Sequence, residues 1–309
     1  MIQAKRISKK FAPKNNALSS ISFDIKEGEI IYLLGESGSG KSTLVKILAG
    51  LEDADKGHAI IENEKITGPK KNLVPGYDHI AYVSQDFKLG QFQTVKDNVG
   101  LKIPYLKGDE KEERIEELLK ICGLKHRKDA FPKELSGGEQ QRVAMAAKIA
   151  HSPQVVLMDE PFSNLDLPLK RKLRLDVLEM LKAEKTTVIV VSHDPAEALG
   201  VADRIMVFEK GKLIQFDSPK KIYRYPKSVY VAQLLGEINH VKPDKTLRLV
   251  RPEKFIVEAK GKHGGIVDKC LFQGDKYHVY VNTTISDNPV LLYTSKEIKR
   301  HTKVRFSID

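Results

Sequence analysis

GESGSGKS, residues Gly35 to Ser42, fits the pattern GxxxxGK[ST], and its flanks decide which fold can carry it. Before it, EIIYLL (29–34) is a short apolar run of the kind that forms a buried parallel strand. After it, Ser42 to Ala49 has apolar residues at helical spacing (Leu44, Ile47, Leu48) and stops at Gly50. Strand, glycine-rich loop and helix in that order make a phosphate cradle. The glycines let backbone amides close round an anion, the Lys41 ammonium reaches the outer phosphates of a nucleotide, and the Ser42 hydroxyl offers a ligand position for Mg²⁺. Candidate nucleotide-binding residues here are Gly35, Glu36, Ser37, Gly38, Ser39, Gly40, Lys41, Ser42 and Thr43.

Outward from this loop the same alternation continues. The Val- and Ile-rich runs Val155 to Met158 and Thr187 to Val191 read as further buried strands, joined by a crossover helix over Leu169 to Leu181 with Leu173, Val177 and Leu181 on one face. The first run ends in VVLMDEP, which delivers Asp159 and Glu160 to a strand's C-terminal end, where ligands bind in such sheets. Asp159 suits Mg²⁺ and Glu160 suits a base that orients an attacking water. His193 follows the second run and occupies the same kind of edge, where a neutral imidazole can bond a phosphate oxygen. Gln85, in YVSQDF, is a polar residue at another strand end. LSGGEQQR (135–142) is a second anion-binding pattern. Ser136 and Glu139 form an SxxE capping box ahead of a helix, yet Gly137 and Gly138 sit in its first turn, where each destabilises a helix interior by roughly 1 kcal/mol relative to Ala. Something must approach this backbone closely.

The interval from about 87 to 150 breaks the α/β alternation. Ile115, Leu118, Leu119 and Cys122 mark a helix over Lys111 to Cys122 within an inserted helical subdomain. After Gly236 the character changes again, to short β-prone runs at 255–257, 279–281, 290–293 and 304–308, which predict a small all-β barrel over 239–309. Within 309 residues this makes an α/β domain over 1–238 and a β domain after it. A net charge of +11 favours anionic partners, and scattered basic residues with no aromatic-basic or zinc-finger pattern argue against nucleic acid. Two widely separated cysteines, no signal-like N-terminus and no apolar run of about 20 residues predict a chain that stays in the cytosol.

The Walker A motif, Gln85, LSGGEQQR, VVLMDEP, SNLD (163–166) and VSHD (191–194) resemble, in order and spacing, the ATPase of ABC transporters. DSPKKIYRYPKSVYVAQLLGEIN (217–239) is similar to the segment leaving the ATPase domain of importer subunits, and LVRPEKF (249–255) and FQG (272–274) are similar to their OB-like TOBE domain. The resemblance implies a P-loop NTPase that binds ATP and Mg²⁺ between two head-to-tail copies, one giving its P-loop and the other Ser136, Gly137, Gly138 and Glu139. It also implies an adenine-stacking aromatic at Phe11, an ATP contact at Asp166, Mg²⁺ ligation by Ser42, Gln85 and Asp159, and catalysis by Lys41, Gln85, Glu160 and His193. Asn164 stands where the family usually has a small residue. The implied partners are two transmembrane permease subunits and, indirectly, a solute-binding protein, at the cytoplasmic face of the cell membrane. The competing expectation is a soluble ABC ATPase acting on nucleic acid or ribosomes.

Overall fold

The computed structural model describes residues 1–12, 15–84, 88–163, 165–244 and 246–309. The chain falls into two compact units, Met1–Tyr225 and Pro226–Asp309. The first opens with β1 (Ile2–Ala12) and β2 (Asn15–Ile25), an antiparallel pair. β3 (Ile30–Leu34) is buried along its whole length, and the glycine-rich loop leads from it into α1 (Lys41–Leu48). β4 (Lys56–Ile61), β5 (Glu64–Ile66) and β6 (Ile80–Val83) follow. The predicted helical insertion contains α2 (Val95–Gly100), α3 (Gly108–Ile121) and α4 (Gly137–Ile149). β7 (Val155–Asp159), α5 (Leu167–Ala183), β8 (Thr187–Val191), α6 (Pro195–Val201), β9 (Arg204–Glu209), β10 (Lys212–Asp217) and α7 (Pro219–Arg224) complete the unit.

Two sheets result. One is antiparallel, in the order β2-β1-β4-β5; the other runs β10-β9-β3-β8-β7-β6 and is parallel except for β10 at its edge. The inner strands of the parallel sheet are apolar on both faces, as strands covered on both sides must be. α1 joins the sheets: Leu44, Val45, Ile47 and Leu48 share one core with Ile2, Ile7 and Ile21 on one side and Ile31, Leu33, Leu157 and Ile189 on the other. Register then brings the chemistry together. Leu33 of β3 and Asp159 of β7 both pair with Val191 of β8, so the P-loop, the two carboxylates and His193 leave the sheet at one level.

The second unit holds α8 (Val229–Leu234), β11 (Asn239–Val241), β12 (Arg248–Val250), β13 (Phe255–Val257), β14 (His263–Phe272), β15 (Tyr277–Thr283), β16 (Val290–Thr294) and β17 (Lys303–Ile308). Its main sheet, β13-β17-β14-β15-β16, is antiparallel throughout, and its edge strands β13 and β16 approach each other, as in a nearly closed OB-like barrel. Val267, Val279, Val281, Leu292 and Phe306 fill it. The Asn239 side chain pins the entry, donating to the Leu291 carbonyl and accepting from its amide, each at 2.8 Å.

Candidate active site

The loop closes tightly because two of its glycines touch other backbone. A Cβ on Gly35 would lie 2.3 Å from the Phe208 carbonyl oxygen, and one on Gly40, at φ 102°, would lie 2.2 Å from that of Ala17. Gly40 is also the N-cap of α1 and brings no side-chain acceptor, which leaves the first-turn amides to an external anion. Lys41 is buried, and its Nζ donates to the carbonyls of Gly35 and Glu36 at 2.8 Å each. Burial lowers its pKa from the usual lysine value, opposed by the charges of Glu160, Asp159 and Glu36. An ammonium already stripped of water and ringed by acceptors is poised for phosphate oxygens.

Ser42 Oγ donates to Asp159 Oδ1 at 3.0 Å, uniting the hydroxyl and carboxylate predicted as metal ligands. The Tyr82 hydroxyl reaches the other carboxylate oxygen at 3.4 Å, a contact that nothing in the local sequence around Tyr82 announces. Glu160 is left-handed at φ 50°, a strained conformation for a non-glycine residue worth roughly 1 kcal/mol or more. Its amide donates to Val191 O at 3.1 Å, and Ser163 Oγ donates to its carbonyl at 3.1 Å. These bonds aim the side chain off the strand end. The His193 Nδ1 stands 3.7 Å from Glu160 Oε2, with the histidine side chain 64 % exposed.

An open depression of about 280 Å³ is lined by Phe11, Ser37, Gly38, Lys41, Ser42, Thr43 and Glu160 among others. Phe11 is 57 % exposed with Lys9 Nζ 5.3 Å from its ring centre, so β1 presents it to solvent beside the P-loop. Ser136, Gly137, Gly138, Glu139 and Asp166 do not line this depression. Ser136 caps α4 as predicted: its Oγ accepts the Glu139 amide at 3.3 Å, and Glu139 Oε2 accepts the Ser136 amide at 2.9 Å. The Ser136 bonds hold the Glu139 carboxyl below the usual glutamate range, with Arg127 adding to them. Asp166 caps α5 through the Leu169 amide. Gln85 and Asn164 lie outside the described residues.

The ABC transporter family model matches residues 18–163. The spermidine/putrescine import ATP-binding protein PotA of Bacillus cereus is 34 % identical over 305 residues, spanning 96 % of this chain and 92 % of the relative. The chain belongs to the ABC transporter family. The glucose import ATP-binding protein GlcV of Saccharolobus solfataricus is 33 % identical over 333 residues, covering 96 % of this ABC protein and 93 % of the relative. Among solved structures, a dimeric, post-hydrolysis ATP-binding cassette bound to ADP and Pi aligns with TM-score 0.63 and 30 % identity over 71 % of this chain and 99 % of its own. The ABC protein is thus an ATPase whose nucleotide-binding fold lies in its first unit.

Proposed function

We propose that this ABC protein is the ATP-hydrolysing subunit of an importer, working as a head-to-tail homodimer beneath two permease subunits at the cytoplasmic face of the membrane. The observation that carries the reading is the convergence of Lys41, Ser42, Asp159, Glu160 and His193 at one level of the parallel sheet. In the mechanism, P-loop amides and Lys41 hold the outer phosphates and offset their charge. Glu160 accepts the proton of the attacking water, while His193 bonds the γ-phosphate and keeps the water in line. Hydroxyl and carboxylate oxygens are the hard donors Mg²⁺ takes, so Ser42 and Asp159 would hold it, and when bound it adds positive charge against the phosphate oxygens.

Gly137 supports the dimer. It is exposed, and a Cβ placed on it would meet nothing within 4 Å, so no packing inside its own subunit explains a glycine in the first turn of α4. A nucleotide carried by the partner's P-loop would explain it. The two named relatives serve chemically different solutes at nearly the same identity, 34 and 33 %, which supports a role in coupling rather than in solute choice.

For the permease contact the strongest support is a groove of about 470 Å³ between β6 and the helical insertion, lined by Lys88, Lys102 and Lys148 with no carboxylate among its described lining residues. A groove lined by lysines suits an acidic permease segment, so replacing both Lys102 and Lys148 by Glu is expected to weaken binding to the permease at least about tenfold, since like charges brought together cost several kcal/mol. Turnover of the free ATPase should stay within twofold. Unchanged permease affinity, measured by titration in detergent, would remove the groove from the account. Residues 1–238 expressed alone are expected to fold and bind ATP with affinity close to that of the full chain, because the P-loop and the core around it lie wholly in the first unit. A soluble truncated chain that calorimetry shows unable to bind ATP would contradict this. The reading as a whole is tested by ATP-driven solute uptake into vesicles holding the protein with its permease partner; vesicles that hydrolyse ATP without accumulating solute would overturn the importer assignment.

A further inference from the structure

The backbone that carries His193 is fixed on both sides although the ring is exposed. Ser192 N donates to Leu33 O at 3.2 Å, Ser192 Oγ donates to Glu197 Oε2 at 2.9 Å, and the Asp194 amide donates to Ser192 Oγ at 3.1 Å. Glu197, on α6, is only 4 % exposed, a placement that a carboxylate tolerates only when it is paired. Its partners come from α5. Lys170 Nζ lies 2.8 Å and Arg174 NH1 3.1 Å from Glu197 Oε1. These two cations stand four and eight residues beyond Asp166, the N-cap of α5, and so share one helix face below it. Glu160, Lys170, Ser192, His193 and Glu197 also line a single cavity of about 10 Å³, room for one water at most, so the ionic cluster abuts the two groups that order the attacking water.

A buried ion cluster of this kind contributes little net stability compared with an apolar core of the same volume, because desolvation offsets most of the attraction. What it does supply is direction. We propose that Glu197 is a positioning residue: clamped by Lys170 and Arg174 of α5, it fixes Ser192 and through it the backbone of His193, so that a shift at the Asp166 end of α5 is passed to His193. The inference rests on the reading of His193 as a group that orders the water. Neither Glu197 nor its two cations lines the nucleotide depression, and the hydrogen-bonded route from Glu197 to His193 is the chain 192–194. Among the described residues, this link joins the SNLD motif to the VSHD motif inside one subunit.

The test uses the full chain and two substitutions that break the link at different places. Ser192→Ala removes one hydroxyl and leaves Glu197 paired with both cations, while Lys170→Met loosens the tie to α5 and leaves Ser192 intact. Each is expected to lower kcat about 10- to 100-fold, the scale of a misplacement of roughly 1 Å, with KM for MgATP within twofold because the P-loop is unaltered. Lys170→Arg should restore turnover. The deciding readout is combination with His193→Ala: if the link acts through His193, neither substitution slows the histidine variant further, whereas a merely structural role would multiply the losses. Wild-type kcat in both variants, or multiplied losses in the combinations, overturns the proposal. Should Ser192→Ala fail to fold, Lys170→Met alone decides by the same readouts. His193→Ala turning over at the wild-type rate would instead overturn the His193 reading itself, a failure visible before either link variant is made.

Discussion

Glu160→Gln is expected to lower ATP turnover by at least about 10³-fold, within the range by which a positioned base accelerates proton transfer, while ATP binding survives. The amide has the shape of the carboxylate and fits the same left-handed backbone, held by Val191 O and Ser163. It cannot accept a proton from water. It also removes a negative charge near Lys41, whose ammonium Glu160 supports, and a site with one charge fewer repels the γ-phosphate less. Bound ATP should therefore persist, and with it the closed dimer. Size-exclusion chromatography in ATP and Mg²⁺ should show the variant as a dimer under conditions where the wild type, cycling, returns to monomer. Turnover within a factor of two of wild type would take the base role from Glu160.

Where the sequence was legible, a short segment carried its own structural reason. EIIYLL, Val155 to Met158 and Thr187 to Val191 are apolar but for the leading Glu29 and Thr187, and the three became β3, β7 and β8 within a residue or two. Leu173, Val177 and Leu181 are buried on α5 as their spacing predicts. The antiparallel sheet did not announce itself. β1 carries a buried lysine on its inner face, where alternation calls for an apolar residue, and Lys9 is tolerated there because Glu52 receives its ammonium at 2.6 Å, the Asp53 carbonyl at 2.8 Å and Asp55 at 3.6 Å, partners more than 40 residues away. Arg6, at φ 50°, breaks the strand's register as well. β14 opens on His263, Gly264 and Gly265, poor strand formers, and is held extended by β15 and β17 on either side. The site divides in the same way. Lys41 and Ser42, like Asp159 and Glu160, are readable because adjacent residues keep a fixed spacing. Phe11 is readable from the family resemblance and lines the depression, whereas Tyr82 and Glu197 join the site or its support only through strand order and helix packing, which no local pattern encodes.

A second large effect is expected from mixing two inactive chains. Lys41→Ala removes the buried cation from the phosphate cradle, and Ser136→Arg replaces the small cap of α4 with a long side chain where a partner's nucleotide would approach. Each homodimer should lose ATP trapping at both sites, a drop of at least about 10²-fold by analogy with removing one charge-stabilising group from a reacting centre. Shared sites have a different arithmetic in the heterodimer. One site then collects both lesions, and the other pairs an unaltered P-loop with an unaltered LSGGE segment. In the proposed composite site that second arrangement would give the exposed Gly137, with open space where a side chain would be, its function. Trapping is the right readout because two cooperative sites need not cycle when one is dead. The decisive measurement is therefore trapping of labelled ADP with beryllium fluoride, a γ-phosphate mimic that needs no turnover, in the doubly tagged, purified heterodimer. About one nucleotide per dimer is the predicted result, and none, under conditions where the wild-type dimer traps, would contradict the composite site.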